Sequence, residues 1–134
     1  MSEKLCALRK IGGGGTLKET TLWTNSAPTS NFGSQIVTIS EPISNFDIIY
    51  CKYRASTSND NTYITYWSES EFSGGNTSTP NSIVPVIGVY NSGTWTRRIY
   101  PQNDNVRIED SLPIGATGAR NQNTIPLEIG GIKL

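Results

Sequence analysis

From Lys18 onward the chain is a succession of short apolar runs, each closed by residues that break or turn the backbone. No run keeps helical spacing for ten residues, and no segment repeats at a fixed period, so the pattern predicts strands. Seven or eight extended segments follow: Thr20 to Thr24, Gln35 to Ser40, Phe46 to Arg54, Thr62 to Trp67, Ile83 to Tyr90, Thr94 to Tyr100, Asn105 to Ser111 and Ile125 to Ile132. Between them stand Asn25-Ser26-Ala27-Pro28, Ser58-Asn59-Asp60-Asn61, Ser73-Gly74-Gly75-Asn76 and Asn91-Ser92-Gly93. Asn and Gly tolerate positive φ, and Pro fixes φ at a turn. The short separator after Tyr90 predicts a hairpin that makes its flanking strands antiparallel neighbours. Phe46 to Arg54 is apolar at both parities, Phe46, Ile48 and Tyr50 against Ile49, Cys51 and Tyr53, as a central strand covered on both faces would be.

Composition points the same way. Among 134 residues, 15 Ile and 5 Val stand against 7 Leu and 5 Ala, the reverse of a helical protein's choice. A chain of this length folds as one domain and buries about two thirds of its unfolded surface. The expected fold is all-β: a single antiparallel β-sandwich over residues 18–134, with a jelly roll as one arrangement. Residues 1–17 are expected as an N-terminal arm, with a short helix capped by Ser2 and running through Arg9 as the other reading, and Gly12 to Gly15 read as a flexible hinge, because four glycines are costly to order. The expected core comprises Trp23, Val37, Ile39, Phe46, Ile48, Ile49, Ile64, Val84, Val86, Trp95, Ile108, Ile125, Leu127 and Ile129. Pro126 lacks a ladder donor, which suits an edge or a strand start, while Gly130-Gly131 allow a bulge or the close approach of another chain.

Charge narrows the partners. Eleven basic residues balance eleven acidic ones with no long block of either sign, so nothing offers the basic stripe that nucleic acid or an anionic membrane requires. Met1 to Lys10 lacks the apolar stretch of a signal peptide and no segment is long enough to span a bilayer, which predicts a product made in a cytoplasm without membrane insertion. In such a reducing compartment Cys6 and Cys51 are expected as a buried hydrophobe or a surface thiol, with a disulfide between them disfavoured.

The absence of histidine removes the usual base for a Ser or Cys nucleophile and the commonest metal ligand. No catalytic residue, metal site or cofactor is expected. Carboxylates remain, Asp47, Glu69, Glu71, Asp104, Glu109, Asp110 and Glu128, but nothing in their spacing pairs them as a glycosidase couple. Gly12 to Lys18 fails as a phosphate loop because the lysine is misplaced and no Ser or Thr follows it. Aromatic side chains are the remaining resource. Tyr63, Tyr66 and Trp67, beside a polar loop from Ser68 to Pro80, form a candidate glycan or receptor site, since rings stack on sugar faces while Asn, Ser and Thr bond hydroxyls. The competing reading of the same rings is cross-strand or core packing.

Two stretches carry a resemblance. Leu22-Trp23-Thr24-Asn25-Ser26-Ala27-Pro28-Thr29-Ser30-Asn31-Phe32 and Thr124-Ile125-Pro126-Leu127-Glu128-Ile129-Gly130-Gly131-Ile132-Lys133 resemble the opening and closing signatures of a β domain in tail-associated proteins of phages and prophages of Gram-positive bacteria. Phe46 to Tyr50 fits its central strand and Arg97-Arg98 its basic pair; the chain departs at Gly130, where the pattern has Tyr, and over Ser68 to Asn81. The resemblance implies a non-enzymatic fibre or baseplate component, made in the bacterial host cytoplasm and assembled into the virion tail. Its implied partners are itself, as a homo-oligomer with a trimer favoured by analogy, other tail proteins, and a host surface glycan. The alternative is a stand-alone carbohydrate-binding module.

Overall fold

The computed structural model describes residues 17–68, 84–90, 93–114 and 118–134, with backbone alone for 84–90 and 93. Eight strands make up the fold: β1 (Lys18–Thr24), β2 (Gln35–Thr38), β3 (Ile48–Ser56), β4 (Thr62–Ser68), β5 (Val84–Tyr90), β6 (Gly93–Pro101), β7 (Asn105–Pro113) and β8 (Asn123–Lys133). They form two antiparallel four-stranded sheets, β1-β8-β3-β4 and β2-β7-β6-β5. The sheets pack together as a sandwich, and each expected strand is present with its ends displaced by only a few residues. Residues 1–16 of the expected arm, with its glycine hinge and Cys6, and the side chains of Val84 and Val86 lie outside the described residues.

The topology follows a jelly roll halfway. In a complete jelly roll of eight strands the pairs β1·β8, β2·β7, β3·β6 and β4·β5 alternate between sheets. Here the first two pairs form, but β3 turns back on β4 and β5 turns back on β6, so β4 and β6 exchange sheets. Local hairpins explain the exchange, because closing a short loop costs less entropy than bringing β3 to β6. The expected hairpin after Tyr90 is one of them, with Tyr90 opposite Gly93.

β3 is the central strand that its double parity predicted, paired with β8 on one side and β4 on the other. Ile49, Cys51 and Tyr53 face the other sheet and meet Val37, Ile99, Val106, Ile108, Ile125 and Ile129 in the main core. Ile48 and Tyr50 point the opposite way, yet are also buried, in a second cluster with Ile132, Leu17 and Tyr66. β3 starts at Ile48 and not at Phe46 because Ile43–Asn45 make one turn of 3-10 helix, closed by the Phe46 amide bonding the Ile43 carbonyl at 3.1 Å.

Four core expectations need correction, the first being Trp23, which is half-buried and packs against the edge of the main core. Ile64 is 42% exposed, since it projects from the outer face of β4, an edge strand. Trp95 and Leu127 are only half-buried. Pro126 sits inside β8, a central strand, but past the last β1 pair at Glu128 and at the irregularity opposite Lys52 and Tyr53, so its missing N–H interrupts no regular ladder. Gly130 and Gly131 admit rings of this chain: Tyr50 lies over Gly130 on the outer face and Phe46 over Gly131 on the inner face, each where a Cβ would stand.

Candidate functional site

Adjacent residues of a strand point to opposite faces, and this separates the aromatic trio expected to act together. Trp67 is buried in the main core at 4% exposure, while Tyr66 packs on Tyr50 across the outer face, ring centroids 6.1 Å apart. Tyr63, 41% exposed, stacks on Tyr53 at 5.6 Å. Cross-strand packing therefore occupies Tyr63, Tyr66 and Trp67, and they do not line one surface.

Of the candidate acids, Asp47, Glu109, Asp110 and Glu128 are similarly committed, while Asp104 is exposed. Asp47 accepts the Leu134 amide and pairs with Lys133 at 3.5 Å; Glu109 pairs with Arg107 at 3.6 Å; Glu128 lies 3.9 Å from Lys52 and accepts the Tyr50 hydroxyl at 2.7 Å. Asp110 accepts the Ser34 amide and the Asn121 side-chain amide, and these two bonds hold its carboxyl below the usual carboxylate value. Glu69 and Glu71 lie outside the described residues. Among the described residues no group of three or more Cys, Asp or Glu could hold a metal ion. Cys51 is a free thiol with no exposure, and burial pushes its pKa up to about 12.

The organising group is Arg97. Alternation along β6 turns Arg98 to solvent and Arg97 inward, where it is fully buried. Its guanidinium donates to four backbone carbonyls: Nε to Thr124 at 2.8 Å, Nη1 to Phe32 at 2.8 Å and to Glu109 at 2.7 Å, and Nη2 to Asn123 at 3.1 Å. Burial lowers its pKa to about 10, so the cation persists at neutral pH. Thr124 holds φ at 50°, an uncommon conformation for a β-branched residue, and its carbonyl is one of those Arg97 grips. The guanidinium also lies 5.3 Å from the Phe32 ring centroid.

Phe32 in turn positions an aromatic wall. Its buried ring meets Trp23 edge-on, centroids 5.8 Å apart and planes at 73°, and its amide bonds the Asn121 carbonyl at 2.9 Å. Asn25 pins the start of the loop: its Nδ2 donates to the Pro126 carbonyl at 2.8 Å and its Oδ1 accepts the Ala27 amide at 2.9 Å. The result is a cleft of about 250 Å³ between the end of β1 and the start of β2, lined by Trp23, Thr24, Asn25, Ser26, Ala27, Asn31, Phe32 and Gln35. A second cleft, about 370 Å³, lies where β1 begins and β8 ends; Lys18, Lys133 and Glu41 give it mixed charge.

Sequence reasoning missed the Trp23 cleft because Gln35 and Asn31 reach Trp23 only after the β1–β2 loop folds back. The polar run Asn25 to Asn31 following a Trp was the available signal. The stretches that carry the resemblance meet here too: β1 pairs with β8, Asn25 bonds Pro126, and Arg97 joins the Phe32 and Thr124 carbonyls. Fold and site together define an all-β sandwich with a polar, aromatic-walled cleft. No protein-family model, curated protein or solved structure matches the chain.

Proposed function

We propose that this chain is a non-enzymatic structural domain of a phage or prophage tail, of the fibre or baseplate kind, that self-associates and contacts the host surface. The observation that carries this reading is the convergence around Arg97. Residues 22–32, 97 and 124–133 lie far apart in sequence, yet one buried guanidinium and the β1·β8 ladder join them. Phe46, from the matching central segment, packs over Gly131 of the closing stretch. Segments that resemble one family in order and spacing thus form one bonded unit. Ile64, 42% exposed on the outer face of edge strand β4, offers apolar surface for self-association. In this reading the product is made in the bacterial host cytoplasm, joins other tail proteins, and needs no cofactor.

The test is the absolute mass in solution by size-exclusion chromatography with light scattering across protein concentration. A closed oligomer, a trimer by analogy, supports the reading. A monomer of 14.6 kDa at every concentration refutes the self-association it requires. The second reading, a stand-alone carbohydrate-binding module, is favoured by the Trp23 cleft and predicts that monomer.

A further inference from the structure

We infer that the Trp23 cleft is a binding site for a single neutral sugar unit of a glycan. The inference deepens the host-contact part of the reading above and rests on it only for where the glycan comes from; the chemistry of the cleft stands alone.

Size is the first consideration. Sites for drug-sized ligands run from about 300 Å³ upward, and a cleft of about 250 Å³ suits one pyranose ring. Charge is the second. None of the residues lining the cleft is ionisable, so it offers no ion pair to a phosphate, a carboxylate or an amine. Donor and acceptor supply is the third. Asn25 spends its side chain on Pro126 and Ala27, but Ser26 and Asn31 are exposed, and among the described residues their side chains bond no other group. Gln35 uses only its Nε2, on the Gly33 carbonyl at 3.2 Å, which leaves its Oε1 to accept. A hydroxyl, an amide and a side-chain carbonyl are the mixed donors and acceptors that sugar hydroxyls need.

The fourth consideration is rigidity. Trp23 is half-buried and held edge-on by Phe32, which is fixed by its backbone bonds to Asn121 and Arg97. A ring already immobilised loses little rotamer freedom when a ligand stacks on it. An aromatic wall beside free amides and a hydroxyl, with no charge, is the chemistry of neutral sugar recognition.

The test is a heteronuclear NMR titration of the uniformly ¹⁵N-labelled full chain. The probes are the methyl glycosides of glucose, galactose and N-acetylglucosamine, with glucuronic acid and N-acetylneuraminic acid as charged comparisons. The Trp23 indole resonance is assigned through Trp23→Phe. A neutral glycoside should move that resonance and the Asn31 and Gln35 side-chain amides saturably, with the charged sugars weaker. Trp23→Ala should weaken binding roughly tenfold or more. Should that variant fail to fold, Asn31→Ala and Gln35→Ala, at exposed positions, should each weaken it several-fold while the remaining spectrum stays folded. Tyr63→Ala should leave binding unchanged. The inference is overturned if no neutral glycoside moves the Trp23 resonance, if charged sugars bind better, if the shifts centre on Tyr53 and Tyr63, or if the cleft takes only peptide. Mass and titration fail independently: an oligomer that binds no sugar removes the cleft and keeps the tail reading, and a monomer that binds sugar does the opposite.

Discussion

Replacing Arg97 with Met removes a buried cation while nearly keeping its volume, and the outcome depends on what is left behind. Where a buried ion pair is replaced by apolar residues, both charged partners disappear and stability often rises. Here the partners are four main-chain carbonyls, of Phe32, Glu109, Asn123 and Thr124, that no substitution deletes. Losing four bonds to a charged donor at about 1.5 kcal/mol each costs about 6 kcal/mol. Against this stands relief from the net cost of holding the cation there, burial partly offset by Asp110 and Cys51: a drop from 12.5 to about 10 corresponds to about 3 kcal/mol. The net expectation is a loss of about 3 kcal/mol, or about 10 °C in Tm for a domain of this size. Urea unfolding followed by circular dichroism measures it directly. Arg98→Met, at the exposed neighbour, should stay within about 0.5 kcal/mol of the parent. An Arg97→Met protein as stable as the parent would show that the guanidinium merely fills space and that its carbonyls find other partners.

Gly131→Ala should cost more than Gly130→Ala, by about 1 to 3 kcal/mol in thermal unfolding, because the added methyl meets the root of the Phe46 ring at Gly131 but only the movable tip of Tyr50 at Gly130. Cys51 should resist iodoacetamide in the native state at pH 8 and react on unfolding, as read at that residue by mass spectrometry. Its thiol and the Tyr50 and Tyr53 hydroxyls have folded pKa values raised above their unfolded ones, so their contribution is complete below about pH 9 and is lost as pH rises; Tm should fall on that alkaline limb, and less steeply in Cys51→Ala. Asp110 has the opposite sign. Its lowered pKa stabilises the fold above the ordinary carboxylate range and the effect fades as pH falls through it, so Asp110→Asn should flatten the acid limb of Tm against pH.

Most of the fold was legible because strand content is local information. β-branched runs and their Asn, Gly and Pro separators marked all eight strands, and the double parity of residues 46–54 marked the central one. Sheet order was not legible: whether β3 pairs with β4 or with β6 depends on contacts between distant segments. Ile64 misled because an apolar residue at strand spacing does not say which face is covered. Tyr66 and Trp67 could share a ligand only outside a strand, and the same pattern that predicted β4 therefore separated them. Arg97 lay in a basic pair whose two members look alike in sequence, and only β6 alternation divides them into a buried tie and a solvated charge.

The β1·β8 ladder has one more consequence. Lys18 pairs with Lys133, so the described domain begins and ends at one corner. β1 then carries the chain about 20 Å, from its 7 residues at about 3.3 Å each, to Thr24 and the Trp23 cleft. A connection made at that corner leaves the cleft at the opposite tip. Copies joined in a ring by the same corner would display their clefts side by side. Each would hold a sugar weakly, but a glycan-coated surface meeting several at once would be held with avidity set by their spacing, a grip that no single domain in solution would reveal.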